Sequence, residues 1–107
     1  MKTIEREELK TGLDAGDKLT LVMAMHEHHF EAAHIPGSIQ LFSVEDAERH
    51  LQYEDDIVVY CSDRSCVASK VVGDKLLAAG FKHVRHYPGG LSEWHAAGYP
   101  LEGSAAT

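Results

Sequence analysis

The feature that most constrains the fold is an apolar strand that ends at a cysteine and leads into a helix. Residues 57–60 (Ile-Val-Val-Tyr) form a continuous apolar run of strand length, and Cys61 follows it directly. A strand without polar alternation is typical of a parallel sheet that is covered on both faces. Residues 66–79 then have the length and periodicity of a helix that ends before Gly80. This strand–loop–helix unit predicts an α/β fold.

The remainder of the chain repeats this alternation. Besides residues 57–60, strands are predicted over residues 19–24, 38–42 and 84–87, and helices over residues 4–15, 28–33, 43–51, 66–79 and 91–97. Ser43, with Asp46 three residues later, has the pattern of a capping box at one helix start. In the longest helix, Val67, Val71 and Leu76 lie near one face. Strands that alternate with helices imply a parallel sheet with helices on both sides.

Length and charge exclude several classes of function. The chain of 107 residues has the size of one domain, and its 10 basic and 17 acidic residues give a formal net charge of -7. Nucleic acids and anionic membranes both select positively charged surfaces, so we expect neither as a partner. No apolar run approaches the roughly 20 residues that span a bilayer. The first six residues lack the apolar core of a signal peptide, so we expect a cytoplasmic protein.

The chain has two cysteines, Cys61 and Cys66. Two are too few for a disulfide framework or for a four-cysteine zinc site within one chain. In a protein without a leader, thiols are more often catalytic, metal-binding or redox-active than structural. The two cysteines are therefore the first candidates for a functional site.

Cys61 lies where an open α/β sheet binds ligands, at the carboxyl end of a strand. The positive end of the following helix and the N–H groups of the intervening loop would favour a thiolate there, which is the nucleophilic form of cysteine. The same N–H groups would bind an anionic substrate. Arg64 adds a positive charge to this loop, and Asp63 opposes it.

Both cysteines also have a purely structural interpretation. Cys61 can be a small buried residue that closes the strand, since free cysteine is among the most buried residue types. Cys66 can be a packing residue at the start of the helix. Alternatively, Cys66 is a resolving thiol for Cys61, which forms a disulfide with it if their α-carbons approach within about 7 Å. The residues alone leave these alternatives open.

Three stretches of the chain resemble motifs of the rhodanese superfamily. They are residues 33–39 (Ala-His-Ile-Pro-Gly-Ser-Ile), residues 56–61 (Asp-Ile-Val-Val-Tyr-Cys), and the C-terminal series Gly80-Phe81, Val84, Gly89-Gly90, Trp94 and residues 97–101 (Ala-Gly-Tyr-Pro-Leu). Their order and spacing are specific, and the resemblance extends from about residue 3 to residue 102. It implies a three-layer α/β domain over residues 1–102 with a central, mostly parallel five-stranded sheet. Residues 103–107 are expected to be a frayed tail.

The resemblance also implies an activity. In such proteins the cysteine after the central strand accepts sulfur as a persulfide from thiosulfate or a similar donor, and passes it to cyanide or a thiol. Cys61 would be this sulfur carrier. The substrate-binding loop would comprise Ser62, Asp63, Arg64, Ser65, Cys66 and Val67. The expected partners are a small-molecule sulfur donor, a thiol or cyanide acceptor and, as a further candidate, an acceptor protein. No metal or organic cofactor is expected.

Two departures from the family pattern bear on this activity. Met23 and Met25 stand where the family usually has Asp-x-Arg, so apolar packing must replace a charged pair beneath the site. The loop after Cys61 is about two residues longer than in the commonest sulfurtransferases, and resembles a variant with a second cysteine. Longer loops occur in related phosphatases, but those need an arginine where this chain has Cys66-Val67. The alternative to a sulfurtransferase is a catalytically weak module that binds a partner or senses redox state.

Other polar clusters are interpreted as structural. His26 and His29, at helical i, i+3 spacing, could supply two metal ligands, but no third or fourth ligand is evident. We interpret them as a solvated helix start. His34 is interpreted as a residue that stabilises a turn. Trp94 with Tyr99 is expected to belong to the core and to clamp the C-terminus.

Overall fold

The protein, studied as a computed structural model, forms a central sheet with helices on both faces. The structure describes residues 1–41 and 43–105. In chain order the elements are β1 (Lys2–Thr3), α1 (Arg6–Asp14), β2 (Leu19–Met23), α2 (Glu27–Ala32), β3 (Ile39–Gln40), α3 (Val44–His50), β4 (Asp56–Tyr60), α4 (Ala68–Ala78), β5 (His83–Tyr87) and α5 (Gly90–Ala96). The strand order is β1-β5-β4-β2-β3, and every described strand pair is parallel. The predicted five-stranded α/β architecture is therefore confirmed.

The two faces of the sheet have separate apolar clusters because successive side chains of a strand point to opposite sides. On one face, Ile57 and Val59 of β4 lie in a cluster with α3 and α4. On the other face, Val58 and Tyr60 lie in a cluster that includes Leu9 of α1 and Trp94 of α5. Burial on both faces explains why β4 reads as an uninterrupted apolar run.

One short strand was not predicted. β1 consists of only Lys2 and Thr3, both exposed, which pair with Arg85 and His86 at the edge of the sheet. A polar edge strand of two residues has no apolar pattern to reveal it. At the opposite edge, β3 is shorter than the predicted strand over residues 38–42, and Phe42 lies outside the described residues.

The predicted apolar face of α4 was wrong in part. The helix begins at Ala68, two residues after the predicted start, and Val67 and Val71 are 68% and 47% exposed. Its buried residues are Ser69, Val72, Gly73 and Leu76. The delay arises because Cys66 still belongs to a turn, in which its N–H donates to the carbonyl of Asp63 at 3.1 Å. Leu76 is buried as predicted.

The start of α3 agrees with its predicted cap. The side chain of Ser43 accepts a hydrogen bond from the N–H of Asp46 at 3.2 Å. This bond satisfies one of the N–H groups that a helix start leaves without a partner. None of the described helices is long and apolar enough to cross a membrane.

The segment after residue 102 differs from the frayed tail expected there. The N–H groups of Ser104 and Ala105 donate to the carbonyls of Glu31 and Ala32, both at 2.9 Å. Ala106 and Thr107 lie outside the described residues. The chain up to residue 105 is therefore docked against the end of α2.

Candidate functional site

Cys61 lies at the carboxyl end of β4, where the order of the strands reverses. From β2 the chain continues to β3 on one side, and then crosses to β4 on the other side of β2. The helices that follow these neighbouring strands, α2 and α4, pack on opposite faces of the sheet. A crevice between two such strands is the usual ligand site of an open α/β sheet. The fold thus gives Cys61 the position that the sequence predicts.

Cys61 and Cys66 are joined by a disulfide. Their α-carbons are 6.3 Å apart, within the range that a disulfide can bridge. The disulfide shows that Cys66 meets Cys61 and is not a packing residue alone, while its role as a resolving thiol stays a prediction. Cys61 is only 2% exposed, whereas Cys66 is partly exposed. A solution thiol therefore reaches the sulfur of Cys66 more readily than that of Cys61.

The loop between the cysteines is folded on itself around Asp63. Oδ1 of Asp63 accepts from the N–H of Ser65 at 3.0 Å and from its hydroxyl at 2.6 Å. These hydrogen bonds from Ser65 hold the pKa of the Asp63 carboxyl below its usual value. The carbonyl of Asp63 accepts from Cys66, as described above. Two N–H groups of the predicted anion cradle, those of Ser65 and Cys66, therefore bind within the loop.

The first half of the loop is fixed against α5. The N–H of Leu91 donates to the carbonyl of Cys61 at 3.1 Å, and the N–H of Ser92 donates to that of Ser62 at 2.8 Å. Gly90 makes this approach possible: a β-carbon there would lie 2.7 Å from the carbonyl oxygen of Cys61 and 2.8 Å from the nitrogen of Asp63. Its φ of +64° also lies in the region that glycine adopts at little cost.

Arg64 is held by two carboxylates. Its guanidinium donates to Glu93 on α5 and to Glu5, the residue before α1. The hydrogen bonds from Glu93 and Glu5 raise the pKa of Arg64, so the group stays charged. Its charge is nevertheless balanced by these partners. The positive charge that the sequence predicts for the loop is thus paired with Glu93 and Glu5.

A small cleft of about 160 Å³ opens beside the disulfide. It is lined by Ala24, Met25, His26, His29, Cys61, Cys66 and Ala68. The residues from the end of β2 and from α2 were not predicted to belong to the site, because they lie more than thirty positions before Cys61 in the sequence. The strand order could have indicated these residues. Because β2 pairs in parallel with β4, the residues that follow β2 lie beside Cys61, which follows β4.

The remaining predicted site residues have other surroundings. Ser62 lines a larger groove of about 580 Å³ between α5 and the C-terminal segment, and its hydroxyl lies 4.0 Å from the sulfur of Cys61. Val67 is exposed at the start of α4. Among residues 1–41 and 43–105, no three histidine, cysteine or acidic side chains are grouped so that they could hold a metal ion.

Comparison with known proteins decides the family. The family model of the rhodanese-like domain matches residues 5–97. The chain is a rhodanese-like domain. Among solved structures, the rhodanese-like domain of the Alr3790 protein from Anabaena sp. is 29% identical with a TM-score of 0.87, and the match covers 98% of this chain and 81% of that one. BH2092 from Bacillus halodurans, 22% identical with a TM-score of 0.91, shares the fold over 98% of this chain and 79% of its own.

Two further relatives are longer proteins. A thiosulfate sulfurtransferase from Pseudomonas aeruginosa is 26% identical with a TM-score of 0.79, over 96% of this chain but 20% of its own. The HTH-type transcriptional regulator Rv0324 of Mycobacterium tuberculosis is 35% identical over 104 residues, which are 95% of this chain and 45% of the regulator. The rhodanese-like domain described here spans less than half the length of that curated relative.

The His-Ile-Pro-Gly motif of this rhodanese-like domain is tied to the residue before Cys61. The hydroxyl of Tyr60 accepts from the N–H of Ile35 at 3.0 Å and shares a hydrogen bond of 2.7 Å with the hydroxyl of Ser38. Ser38 also donates to the carbonyl of Ile35. Burial raises the pKa of Tyr60 to about 12, so its hydroxyl stays protonated and can both accept and donate.

The two methionines that replace the usual charged pair pack as predicted. Met23 is fully buried, and Met25 packs as a partly buried side chain against the same apolar cluster as Ile35 and Tyr60. The carbonyl of Met25 accepts from the side-chain amide of Gln40 at 2.6 Å, which fixes the turn between β2 and α2. Apolar packing and one side-chain hydrogen bond thus support the floor of the cleft.

The C-terminal residues of the domain are held as the sequence predicts. Trp94 is buried, packs edge-on against Tyr99 at 4.8 Å between ring centroids, and donates its indole N–H to the carbonyl of Pro100 at 2.9 Å. His34 stacks on Phe30, and its Nδ1 lies 2.7 Å from the carbonyl of that residue. The contacts of Trp94 hold the segment after α5 against that helix, and an antiparallel bridge between His34 and Glu102 joins the segment to the residue after the end of α2.

Proposed function

We propose that this rhodanese-like domain carries sulfane sulfur as a persulfide on Cys61. The observation that supports this most strongly is the position of Cys61 at the carboxyl end of the central strand, in the crevice between β2 and β4 and before the start of α4. A cysteine ahead of a helix start is stabilised as a thiolate. Membership of the rhodanese-like family and likeness to a thiosulfate sulfurtransferase also support sulfur transfer.

The loading step is a displacement at sulfur. The Cys61 thiolate attacks the outer sulfur of the donor, a new S–S bond forms on Cys61, and the donor's own bond to that sulfur breaks. With thiosulfate as donor the leaving group is sulfite, and with an organic persulfide it is a thiolate. A thiol or cyanide then attacks the outer sulfur of the persulfide and regenerates the Cys61 thiolate. An acceptor protein with an accessible thiol is a further candidate partner.

Cys66 gives the persulfide a second fate within the same loop. Its thiolate attacks Sγ of Cys61, the bond to the outer sulfur breaks, and hydrosulfide leaves as the Cys61–Cys66 disulfide forms. A dithiol reductant must then return the pair to two thiols. The cytoplasm is the compartment that we propose for this cycle, because its thiol pool keeps cysteines reduced.

A second candidate function is a module that senses oxidants or sulfane sulfur. The disulfide across the loop favours it, since its formation and reduction define two states of the domain. The likeness to an HTH-type transcriptional regulator also supports a sensory role within a longer protein. In this role Cys61 performs the same chemistry, but turnover is slow and the disulfide state is the output.

Intact mass after sulfur loading tests the primary proposal. Reduced protein is treated with thiosulfate or with a low-molecular-weight persulfide, and the number of added sulfur atoms is counted. We expect one added sulfur on Cys66→Ser and none on Cys61→Ser, because a hydroxyl cannot form a persulfide. In the wild type the added sulfur should be lost as hydrosulfide while the disulfide forms.

Thiocyanate formation with cyanide then separates the two candidate functions. With a dithiol reductant present to return the pair to two thiols, a sulfurtransferase turns over many times, whereas a sensing module turns over slowly. Loading of Cys61→Ser, with none on Cys66→Ser, contradicts the assignment of Cys61 as the sulfur carrier. No loading of either variant by any donor contradicts sulfur transfer altogether.

A further inference from the structure

The cleft beside Cys61 differs from a site built for a doubly charged anion. Ala24, Met25 and Ala68 give it apolar walls, and the imidazoles of His26 and His29 complete it. Among its described lining residues there is no lysine or arginine. A dianion that enters such a cleft loses strong hydration and gains only apolar contacts, so its binding costs free energy. A sulfur atom with an alkyl group attached keeps little hydration there and gains contacts with Met25.

Two N–H groups of the loop are already bonded and are not free to bind a sulfonate. The N–H groups of Ser65 and Cys66 are hydrogen-bonded to Asp63 within the loop. The bond from Ser65 is made to the side chain of Asp63, and this local turn does not involve the disulfide. An oxyanion at this loop must therefore compete with a carboxylate that is already in place.

The charges around the loop have the wrong sign for a dianion. Arg64 contributes one positive charge, while Asp63, Glu5 and Glu93 contribute three negative charges. The surplus of negative charge repels a dianion about twice as strongly as a monoanion at the same distance. The formal net charge of -7 adds to this repulsion at long range.

Resting on sulfur transfer at Cys61, we propose that the donor is an uncharged or singly charged organic persulfide or polysulfide, and that the domain discriminates against the thiosulfate dianion. The cleft of about 160 Å³ admits only the sulfur-bearing end of such a donor. The Cys61 thiolate takes the outer sulfur, the donor's S–S bond breaks, and the organic thiolate leaves towards solvent past His29.

The test compares loading rates of two donors on the Cys66→Ser background, where the persulfide cannot be resolved. The donors are 2-hydroxyethyl persulfide, whose organic part is uncharged, and thiosulfate. Because persulfides react faster with any thiol, the decisive quantity is how each rate responds to charge. Raising the ionic strength should increase the thiosulfate rate, since salt screens repulsion, and should change the persulfide rate much less.

Neutralising two carboxylates near the loop tests the electrostatic repulsion of thiosulfate independently of ionic strength. Glu5→Gln with Glu93→Gln removes two negative charges and frees Arg64, and should raise the thiosulfate rate about threefold to tenfold. The persulfide rate should change less than about twofold, on the same electrostatic grounds. Glu8→Gln with Glu45→Gln is the matched control, because it makes the same change in formal charge at exposed positions on α1 and α3. The control should leave both rates nearly unchanged.

The outcomes separate the two proposals. A thiosulfate rate that falls with ionic strength shows an attractive anion cradle and overturns the inferred donor class, while sulfur transfer at Cys61 stands. The same conclusion follows if both donors load equally fast and neither responds to the carboxylate changes. If neither donor loads Cys61, the failure is that of the proposed function itself.

Discussion

The hydroxyl of Ser38 lies 2.7 Å from the hydroxyl of Tyr60, which is 22 residues further along the chain. Through this bond and the N–H of Ile35, the turn of the His-Ile-Pro-Gly motif holds the last residue of β4. Cys61 is the next residue. The motif that identifies the family in sequence therefore acts on the candidate nucleophile through one tyrosine.

Tyr60→Phe should destabilise the domain by about 1–3 kcal/mol, because it leaves the buried N–H of Ile35 and the hydroxyl of Ser38 without this partner. The measurement is the free energy of unfolding from denaturant titration at neutral pH. Tyr53→Phe is the control, since Tyr53 is 45% exposed and should change stability by less than about 0.5 kcal/mol. Equal effects of the two changes would show that the network contributes nothing.

The stability of the domain should fall steeply at alkaline pH. Burial raises the pKa of Tyr60 to about 12 from the ordinary tyrosine value of 10.0. The folded state thus holds this proton more tightly than the unfolded state, and the contribution to stability is complete below pH 10 and lost as pH rises from about 10 to about 12. Tyr60→Phe should flatten this decline in denaturant titrations. Part of it should remain, because burial also raises the pKa of Tyr87. An unchanged slope in Tyr60→Phe would argue against the raised pKa.

Met25→Arg should destabilise the domain by about 1–3 kcal/mol. Met25 packs against an apolar cluster, and a charge introduced there without a partner loses hydration. Met25→Leu keeps the volume and apolar character, so it should cost clearly less. The midpoints of thermal unfolding of the two variants make the comparison. If Met25→Arg and the wild type unfolded at similar midpoints, the charged end of the arginine side chain would have to reach solvent.

Mild oxidation should close the loop reversibly. One equivalent of peroxide converts the Cys61 thiolate to a sulfenic acid, and the thiol of Cys66 then displaces water from it to give the disulfide. Peptide mapping should find residues 61 and 66 in one cross-linked fragment, and a dithiol should restore both thiols. In Cys66→Ser, which lacks the resolving thiol, Cys61 should be oxidised further to the sulfinic acid. Sulfinic acid on wild-type Cys61, with Cys66 still free, would contradict this mechanism.

The sequence predicted the architecture and the place of Cys61 after the central strand, but it did not indicate every residue of the cleft. β4 and Cys61 were recognisable because burial on both faces gives an apolar run that a parallel sheet requires. The exposure of Val67 and Val71 was missed because the turn at Asp63 delays the helix start, and side-chain hydrogen bonds within a loop leave no periodic signal. Met25 and His29 were missed as cleft residues because their position depends on strand order, which local patterns do not encode.

Gly90 has a consequence for how loops of this kind can diversify. Its α-carbon rests against the backbone of residues 61–63, and no larger residue fits there. An insertion in the first half of the loop would have to displace the start of α5, whereas residues added after Asp63 extend towards α4. We therefore expect insertions in this loop to be better tolerated on the side of Cys66. A second thiol on that side leaves the backbone that holds Cys61 against α5 unchanged.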